Sequence, residues 1–194
     1  MNGYDFDKTI YDGDCLVDFY FYTIIRRPFM LLVLPVHFVM LLLYLVKIIP
    51  RKRIKELLMF QLRFYKNKQK LIKNFWKDYI FKIKNWYLNQ KKEDDIIITA
   101  SPEFLVKPVC EKLYVKNIIG TEMNMDTQKI TGKNCYGKEK VLRFQKQFPN
   151  IKLKEFYSDS LSDLPMMEAS QKGILVKGDK RVVVFNETIE EDKK

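Results

Sequence analysis

The chain has 194 residues, 47% of them hydrophobic, and a formal net charge of +11 at pH 7. This length allows one hydrophobic core with one additional element. The three cysteines, Cys15, Cys110 and Cys135, cannot form a complete set of disulfides, which excludes a disulfide-stapled scaffold and favours reduced thiols in an intracellular enzyme.

Two carboxylates stand one residue apart near the start of the chain, in the Asp-Phe-Asp-Lys-Thr sequence of residues 5–9. If a strand ends at Tyr4 and Asp5, the side chains of Asp5 and Asp7 point the same way and repel each other unless a cation or a shared proton neutralises them. Mg²⁺ fits such a pair, and one carboxylate can then attack phosphorus while the other moves a proton. The alternative is a turn in which both side chains only cap backbone amides.

Residues 28–46 contain no formally charged side chain and are flanked by Arg26, Arg27 and Lys47. The length of this apolar segment approaches what is needed to span a bilayer. A single crossing would separate Asp5 from the later site residues, so the chain must cross an even number of times or not at all. The alternatives are a re-entrant helical hairpin, a helix at the membrane interface, and a buried cap helix of a soluble protein.

The next segment, from Lys47 to Lys92, is strongly basic, with fifteen Lys or Arg residues against only Glu56 and Asp78. Apolar and aromatic residues are interleaved with these charges, which predicts one or two basic amphipathic helices. An anionic lipid surface is the partner that this composition favours. Nucleic acid is less favoured because no recognised nucleic-acid motif accompanies the charge, and a solvated helix face over a cap core is the third alternative.

The β-branched residues 96–98 predict a buried strand that leads to Thr99. Ser101 is then placed to cap the following helix, with Pro102 in its first turn. A strand that leads into a helix N-terminus forms an anion site, in which the Thr99 hydroxyl and free backbone amides would bind a phosphate oxygen. The alternative is an ordinary capped joint between a strand and a helix.

The remaining segments are predicted to complete the core. The predicted elements are a strand from residues 113–115 and 118–119, a turn or hairpin at 120–132, last strands at 173–176 and 182–184, and a charged tail at 190–194. A helix is predicted to begin near Gly137 and to carry Lys140, and a strand ends before Asp159 and Asp163. Asp159 would ligate a metal, whereas Asp163 would hold a metal-bound water, orient Lys140, or only cap the next helix.

Taken in this order, the segments resemble the four motifs of the haloacid dehalogenase superfamily: Asp-x-Asp-x-Thr, a strand-terminal Thr or Ser, a Lys, and a final acidic pair. The resemblance is to the phosphoserine phosphatase-like branch, subfamily IB. It implies a nucleophile, a general acid/base, a phosphate-binding hydroxyl and a phosphate-stabilising cation, which are Asp5, Asp7, Thr99 and Lys140 in that order. It also implies Mg²⁺, held by Asp5, Asp7, Asp159 and Asp163. Lys138 competes with Lys140 for the third motif, and the Val-Leu that follows Lys140 favours Lys140.

The resemblance implies the fold as well: an α/β, doubly wound (Rossmann-like) parallel sheet core with an inserted helical cap. Residues 1–11 together with 92–194 would form the catalytic core, and residues 12–91 would form the cap with its apolar and basic segments. Two features depart from the family pattern. Few residues precede Asp5, so the first strand must be very short, and Lys8 stands where the family often has glycine.

These observations predict a Mg²⁺-dependent phosphomonoesterase that acts through an aspartyl-phosphate intermediate. The apolar and basic cap resembles that of phosphatidylglycerophosphate phosphatases. This favours a membrane-associated phosphate ester as the substrate, and a cytoplasmic protein associated with the inner face of the membrane. The alternatives are a phosphatase of a soluble metabolite such as phosphoserine, and a non-catalytic membrane-binding scaffold.

Overall fold

A six-stranded sheet forms the centre of the protein, which we describe from a computed structural model of residues 1–187. The strands are β1 (Gly3–Tyr4), β2 (Ile96–Pro102), β3 (Asn117–Thr121), β4 (Glu155–Ser158), β5 (Lys172–Lys177) and β6 (Lys180–Asn186). Their order across the sheet is β3-β2-β1-β4-β5-β6. All neighbouring pairs are parallel except β5 and β6, which form an antiparallel hairpin at one edge. The predicted α/β fold with a largely parallel sheet is therefore confirmed.

Helices make up the other regular elements. They are α1 (Cys15–Ile25), α2 (Leu34–Leu45), α3 (Arg51–Met59), α4 (Lys68–Tyr79), α5 (Asn85–Gln90), α6 (Glu103–Lys112), α7 (Lys138–Gln147) and α8 (Leu164–Glu168), with short 3₁₀ turns at Pro28–Val33, Phe60–Phe64, Ile80–Lys82 and Leu161–Asp163. The five helices α1–α5 all lie between β1 and β2 in the chain. The predicted helical insertion thus occupies the expected position in the sequence.

The first strand is only two residues long, as the sequence predicted, and it is stabilised from both sides. Tyr4 is aligned with Ile97 on one side and with Tyr157 on the other, and it is completely buried. The Tyr4 and Tyr157 rings stack with 4.9 Å between their centroids. A central position and large aromatic neighbours therefore compensate for the small number of backbone hydrogen bonds that a short strand can make.

Part of the helical insertion packs directly on the sheet layer. The Trp76 indole of α4 is fully buried and donates a hydrogen bond to the Leu105 carbonyl oxygen of α6 at 2.6 Å. Tyr87 of α5 packs edge-on against Tyr4, with 4.9 Å between ring centroids. The later part of residues 12–91 therefore shares a hydrophobic core with the sheet, while α1 and α3 contribute to the site described below. The domain boundaries themselves remain a prediction.

Most of the smaller predicted elements are confirmed, and two are wrong. The turn at residues 120–132 contains an antiparallel bridge between Met123 and Ile130, as a small hairpin requires. Residues 113–115 do not form a strand, because Leu113 ends α6 and Tyr114 takes a left-handed conformation with φ 56°. Ser101 does not cap α6 and Pro102 does not lie in its first turn, because β2 continues through Pro102 and α6 begins at Glu103. The predicted tail at 190–194 lies outside the described residues.

Candidate active site

A cavity of about 430 Å³ opens at the carboxyl ends of the parallel strands. Asp5 and Asp7 follow β1, Ser101 lies at the end of β2, and Asp159 follows β4; all four residues line this cavity. Carboxyl ends of neighbouring parallel strands meet at one edge of a sheet, which is where open α/β sheets bind their ligands. The topology thus brings together side chains that are more than 150 residues apart in the chain.

Lys140 is the central cation at the base of the cavity. Its Nζ lies 2.8 Å from Asp5 Oδ1 and 2.7 Å from Asp163 Oδ2, and the side chain is only 1% exposed. Gly137, with φ 57°, precedes α7 and allows the sharp entry that puts Lys140 in the first turn of the helix. Lys138 is exposed to solvent, so the geometry supports Lys140 as the third-motif lysine.

The pKa values of both Asp5 and Lys140 are raised, for different reasons. Burial raises the pKa of Asp5 well above its ordinary value, although the ammonium group of Lys140 opposes this effect. Burial alone would lower the pKa of Lys140, but the charges of Asp5 and Asp163 outweigh it, and the net pKa of Lys140 is raised. Lys140 is therefore held as a cation, and its charge is shared between two carboxylates.

The Asp7 carboxylate is held by two hydrogen bonds, one from α1 and one from β2. Its Oδ1 accepts a hydrogen bond of 2.7 Å from the backbone N–H of Cys15, the first residue of α1. Its Oδ2 accepts one of 2.5 Å from the Ser101 hydroxyl. Burial is the main cause that raises the pKa of Asp7, to about 6, with a further contribution from the charge of Asp14. A carboxyl group with this pKa can both donate and accept a proton near neutral pH.

The turn between β1 and α1 contains one unusual residue, Lys8, whose φ of 59° lies in the left-handed region that favours glycine. Its backbone N–H donates a hydrogen bond to the Gly13 carbonyl oxygen at 2.8 Å, which closes the turn. This conformation explains why the family often has glycine at this position. Lys8 also lines the cavity, so a lysine in place of the usual glycine adds a positive charge at the site.

The structure places the strand-terminal hydroxyl at Ser101 rather than at Thr99. Thr99 is completely buried, and its Oγ1 accepts a 3.0 Å hydrogen bond from the Ser101 backbone N–H. The Ser101 side chain lines the cavity and contacts Asp7, whereas Thr99 does not contribute to the cavity wall. The predicted phosphate-binding role of Thr99 thus has no geometric support. Ser101 was predicted only as a helix cap, but because β2 continues to Pro102, Ser101 lies at the end of the strand and reaches the cavity.

Asp159 and Asp163 occupy different environments. Asp159 lines the cavity, its backbone N–H donates to Thr9 Oγ1 at 2.9 Å, and burial raises the pKa of its carboxyl group. Asp163 Oδ2 accepts hydrogen bonds from Lys140 and from Ser158, the latter at 2.8 Å. Asp163 Oδ1 is buried and has no hydrogen-bond partner among the described residues. Asp163 thus orients Lys140, and its side chain makes no cap to α8.

Sequence reasoning missed three residues that enter the site from outside the four motifs. Lys55 and Arg51 of α3 and Asn134 of the loop before α7 all line the cavity. Lys55 Nζ donates hydrogen bonds to the Ala100 carbonyl oxygen and, at 2.7 Å, to Asn134 Oδ1. The basic residues of the insertion were predicted to face lipid, and no sequence signal separated these two from their neighbours.

A parallel α/β sheet with acidic residues after its first and fourth strands and a buried lysine between them defines a hydrolase site of the phosphoryl-transfer type. Residues 3–168 match the family model of haloacid dehalogenase-like hydrolases. The match covers most of the chain, and the protein belongs to this family.

Curated relatives match a shorter stretch. The chain is 34% identical over 85 residues to Protein CicA of Caulobacter vibrioides, an alignment that covers 40% of this chain and 38% of the relative. It is 32% identical over 95 residues to a Mycobacterium tuberculosis protein described as a "Probable phosphatase", which covers 45% of this chain and 33% of that protein. The matches thus span less than half the length of these relatives.

Solved structures share the fold over almost the whole chain. A Bordetella pertussis protein of unknown function superposes with a TM-score of 0.75 at 18% identity, covering 90% of this chain and 88% of that one. A phosphoserine phosphohydrolase-like protein of Francisella tularensis superposes with a TM-score of 0.53 at 16% identity, covering 90% and 87%. At these identities the superpositions establish the fold alone.

Proposed function

We propose that the protein is a Mg²⁺-dependent phosphomonoesterase that forms a phosphoryl intermediate on Asp5. The observation that carries this proposal is the buried Asp5–Lys140–Asp163 group beside Asp7, at the strand ends of a hydrolase of this family. The phosphatase name of the mycobacterial relative agrees with it. A non-catalytic scaffold would not need a buried nucleophile, a cation to position it and an adjacent acid.

The residues have complementary tasks in the proposed reaction. Lys140 holds Asp5 Oδ1, which fixes the orientation of the carboxylate for attack on phosphorus. As the new bond between Asp5 and phosphorus forms, the phosphorus–oxygen bond to the alcohol breaks, and Asp7 gives its proton to the leaving oxygen. Asp7 then removes a proton from the water that attacks the aspartyl phosphate, which releases inorganic phosphate and regenerates both carboxyl groups.

The donor atoms of the site suit Mg²⁺. Asp5, Asp7 and Asp159 present carboxylate oxygens to the cavity, and oxygen donors are what Mg²⁺ prefers. The unpartnered Oδ1 of Asp163 is a buried acceptor that a metal-bound water can satisfy. Within residues 1–187, no three His, Cys, Asp or Glu side chains stand close enough together to hold a metal ion by themselves. When bound, Mg²⁺ would offset the negative charge of the substrate phosphate.

We further propose that the substrate is a membrane-associated phosphate ester, such as phosphatidylglycerophosphate, reached from the cytoplasmic face of the membrane. Pro28–Leu45 is long and apolar enough to cross a bilayer, and only 11% of it is buried in the protein. The apolar residues of this region that are at least half exposed are Phe29, Leu31, Leu32, Val36, Phe38, Val39, Leu45 and Val46. An exposed apolar surface of this extent is typical of a membrane or protein contact, and the basic flanks favour anionic lipid.

The fold constrains how this segment can meet a membrane. Asp7 precedes the segment, Lys55 follows it, and both line the same cavity. A single crossing would put these two residues on opposite sides of the bilayer. One side of the segment also contacts the protein, because His37 Nδ1 and the Tyr20 hydroxyl of α1 share a 2.5 Å hydrogen bond. These contacts support a helix that lies in the membrane interface beside the cavity mouth.

A phosphatase of a soluble metabolite such as phosphoserine is the second candidate, because the Francisella neighbour is named phosphoserine phosphohydrolase-like. The two candidates are tested by measuring phosphate release with and without Mg²⁺ from phosphatidylglycerophosphate in anionic vesicles and from a panel of soluble phosphomonoesters. We expect turnover to require Mg²⁺ and to favour the vesicle substrate. Preference for a soluble ester would overturn the lipid assignment. The apolar segment would then only cover the active site.

The Asp5→Asn variant is the control for contaminating phosphatases, and Asp12→Asn, in the exposed part of the same turn, is its matched partner. We expect Asp12→Asn to retain turnover and Asp5→Asn to lose it on every substrate. If neither variant differs from the wild type, or if the wild type releases no phosphate from any ester, the catalytic proposal fails and the scaffold alternative is favoured.

A further inference from the structure

Two cations of α3, Lys55 and Arg51, form a second charged region of the cavity that the proposed chemistry does not use. They stand four residues apart, so they lie on the same face of the helix about one turn from each other. Lys55 donates a hydrogen bond to the carbonyl oxygen of Ala100, the residue before Ser101. The guanidinium carbon of Arg51 lies 4.3 Å from the centroid of the Tyr136 ring.

These two cations differ from Lys140 in their partners. Lys140 contacts two carboxylates, so its charge is already compensated. Lys55 donates to a backbone carbonyl and to the Asn134 side chain, and neither partner carries a charge. Arg51 lies against the aromatic residue Tyr136 and makes no salt bridge among the described residues. The α3 side of the cavity therefore offers positive charge without a bound carboxylate.

The cavity also has an apolar end. Leu41 and Tyr44 of α2 line it together with Ile54 and Leu58 of α3, on the side where the insertion carries its exposed apolar surface. Burial lowers the pKa of Lys55 to about 8, while the charges of Asp7, Asp14 and Asp5 and the nearby Cys135 act in the opposite direction, so the ammonium form is still present at neutral pH. The cavity wall thus has three parts: the carboxylates at the strand ends, the cations of α3 without a carboxylate partner, and the apolar side chains of α2 and α3.

We infer that Lys55 and Arg51 bind a second anionic group of the substrate, separate from the phosphate that is cleaved. This inference rests on the proposed phosphatase function and narrows its substrate class to phosphomonoesters that carry another negative group. A phosphodiester, as in a phospholipid headgroup, and a carboxylate, as in phosphoserine, share this chemistry. Lys55 and Arg51 are in this view specificity-determining residues, and the reacting atoms are positioned by Asp5, Asp7 and Lys140.

The test compares substrates with one and two anionic groups. Kinetic constants are measured for phenyl phosphate, for phosphoserine, and for the deacylated headgroup glycerophosphoglycerol phosphate, which carries both a phosphodiester and a terminal phosphomonoester. The variants are Lys55→Met and Arg51→Met, with Lys52→Met as the matched control because Lys52 is exposed on the same helix and does not line the cavity. Lys55→Arg tests whether charge is what matters.

For Lys55→Met we expect KM for a two-anion substrate to rise at least tenfold more than KM for phenyl phosphate, because a charge-assisted hydrogen bond is lost. The two-anion substrate that shows the larger rise identifies the anion as a phosphodiester or as a carboxylate. Lys55→Arg should restore part of the affinity. Arg51→Met should act in the same direction, and it provides the test if Lys55→Met unfolds.

Equal changes in KM for all three substrates would overturn the inference, because Lys55 would then act on the cleaved phosphate or only hold α3 against Ala100. A fall in kcat with unchanged KM, or an equal effect of Lys52→Met, would also overturn it. These failures remain distinct from failure of the proposed function, because turnover of phenyl phosphate by the wild type but not by Asp5→Asn reports the phosphatase activity independently.

Discussion

The base of the cavity and the apolar surface of residues 28–46 differ in how far their side chains are buried and paired within the chain. Lys140 at the base is 1% exposed and contacts two carboxylates of its own chain. Leu32 and Leu45 in the apolar region are 82% and 65% exposed. The charge of Lys140 is compensated within the chain, whereas the apolar side chains have no such partner among the described residues. The proposed chemistry therefore needs only residues of this chain, whereas the proposed lipid substrate requires a membrane contact at the apolar surface.

The strongest test of the base is Lys140→Met. Removing the cation leaves Asp5 and Asp163 buried together without a counter-charge, and we expect the free energy of unfolding to fall by about 3–5 kcal/mol. Denaturant unfolding measures this change, with Lys138→Met, at an exposed position two residues earlier in the same helix, as the control. Adding Asp163→Asn to Lys140→Met should recover part of the loss, and no recovery would mean that charge repulsion is not the cause.

Asp7→Asn tests the proton transfer at the base. We expect turnover of an alkyl phosphate to fall by roughly 10²–10⁴-fold, because general acid–base catalysis is lost. The loss should be smaller for p-nitrophenyl phosphate, whose leaving group needs little protonation. Steady-state kinetics on both esters measure this difference, and equal losses on the two would assign Asp7 a role other than proton donor.

Two single substitutions decide which hydroxyl serves the cleaved phosphate. We expect Ser101→Ala to lower kcat/KM by roughly a hundredfold, since it removes one donor from the site. Thr99→Val keeps the shape of the buried side chain and should lower kcat/KM less than Ser101→Ala does. The reverse order in the kinetics would restore the family-based assignment to Thr99.

The apolar surface is tested by the double variant Leu32→Glu/Leu45→Glu. Both positions are exposed, so we expect normal unfolding behaviour but binding to anionic vesicles that is weaker by at least tenfold, because apolar burial in the interface is lost. Vesicle flotation measures the binding, and Ile151→Glu, a half-exposed apolar residue far along the chain, is the control. Unchanged flotation would exclude this surface as the membrane contact.

The smallest expected effect is a pH dependence at α3. The pKa of Lys55 is lowered to about 8, so the cation is present below this pH and is lost as the pH rises through it. Between pH 7 and 9 we expect KM for a two-anion substrate to rise by about tenfold in the wild type. Lys55→Arg should give a flatter profile, since arginine keeps its charge; matching profiles would show that another group titrates.

The sequence by itself determined the class of fold and most of the charged residues that line the base of the cavity. Local patterns predicted single elements, such as the buried strand before Thr99, and the resemblance of the ordered motifs to a known family supplied the arrangement of these elements. The family pattern favoured Lys140 over Lys138, and in the structure Lys140 is buried against Asp5 whereas Lys138 is exposed.

Only the tertiary structure decided which side chains face the cavity. Ser101 replaces Thr99 there because pairing with β3 extends β2 to Pro102, a long-range contact that local propensity does not contain. Lys55 is one of fifteen basic residues from Lys47 to Lys92, and it is distinguished only by its hydrogen bonds to Ala100 and Asn134, which are distant in the chain. Sequence patterns indicate the periodicity of each helix or strand. Which side chains meet in one site depends on how elements that are distant in the chain pack together.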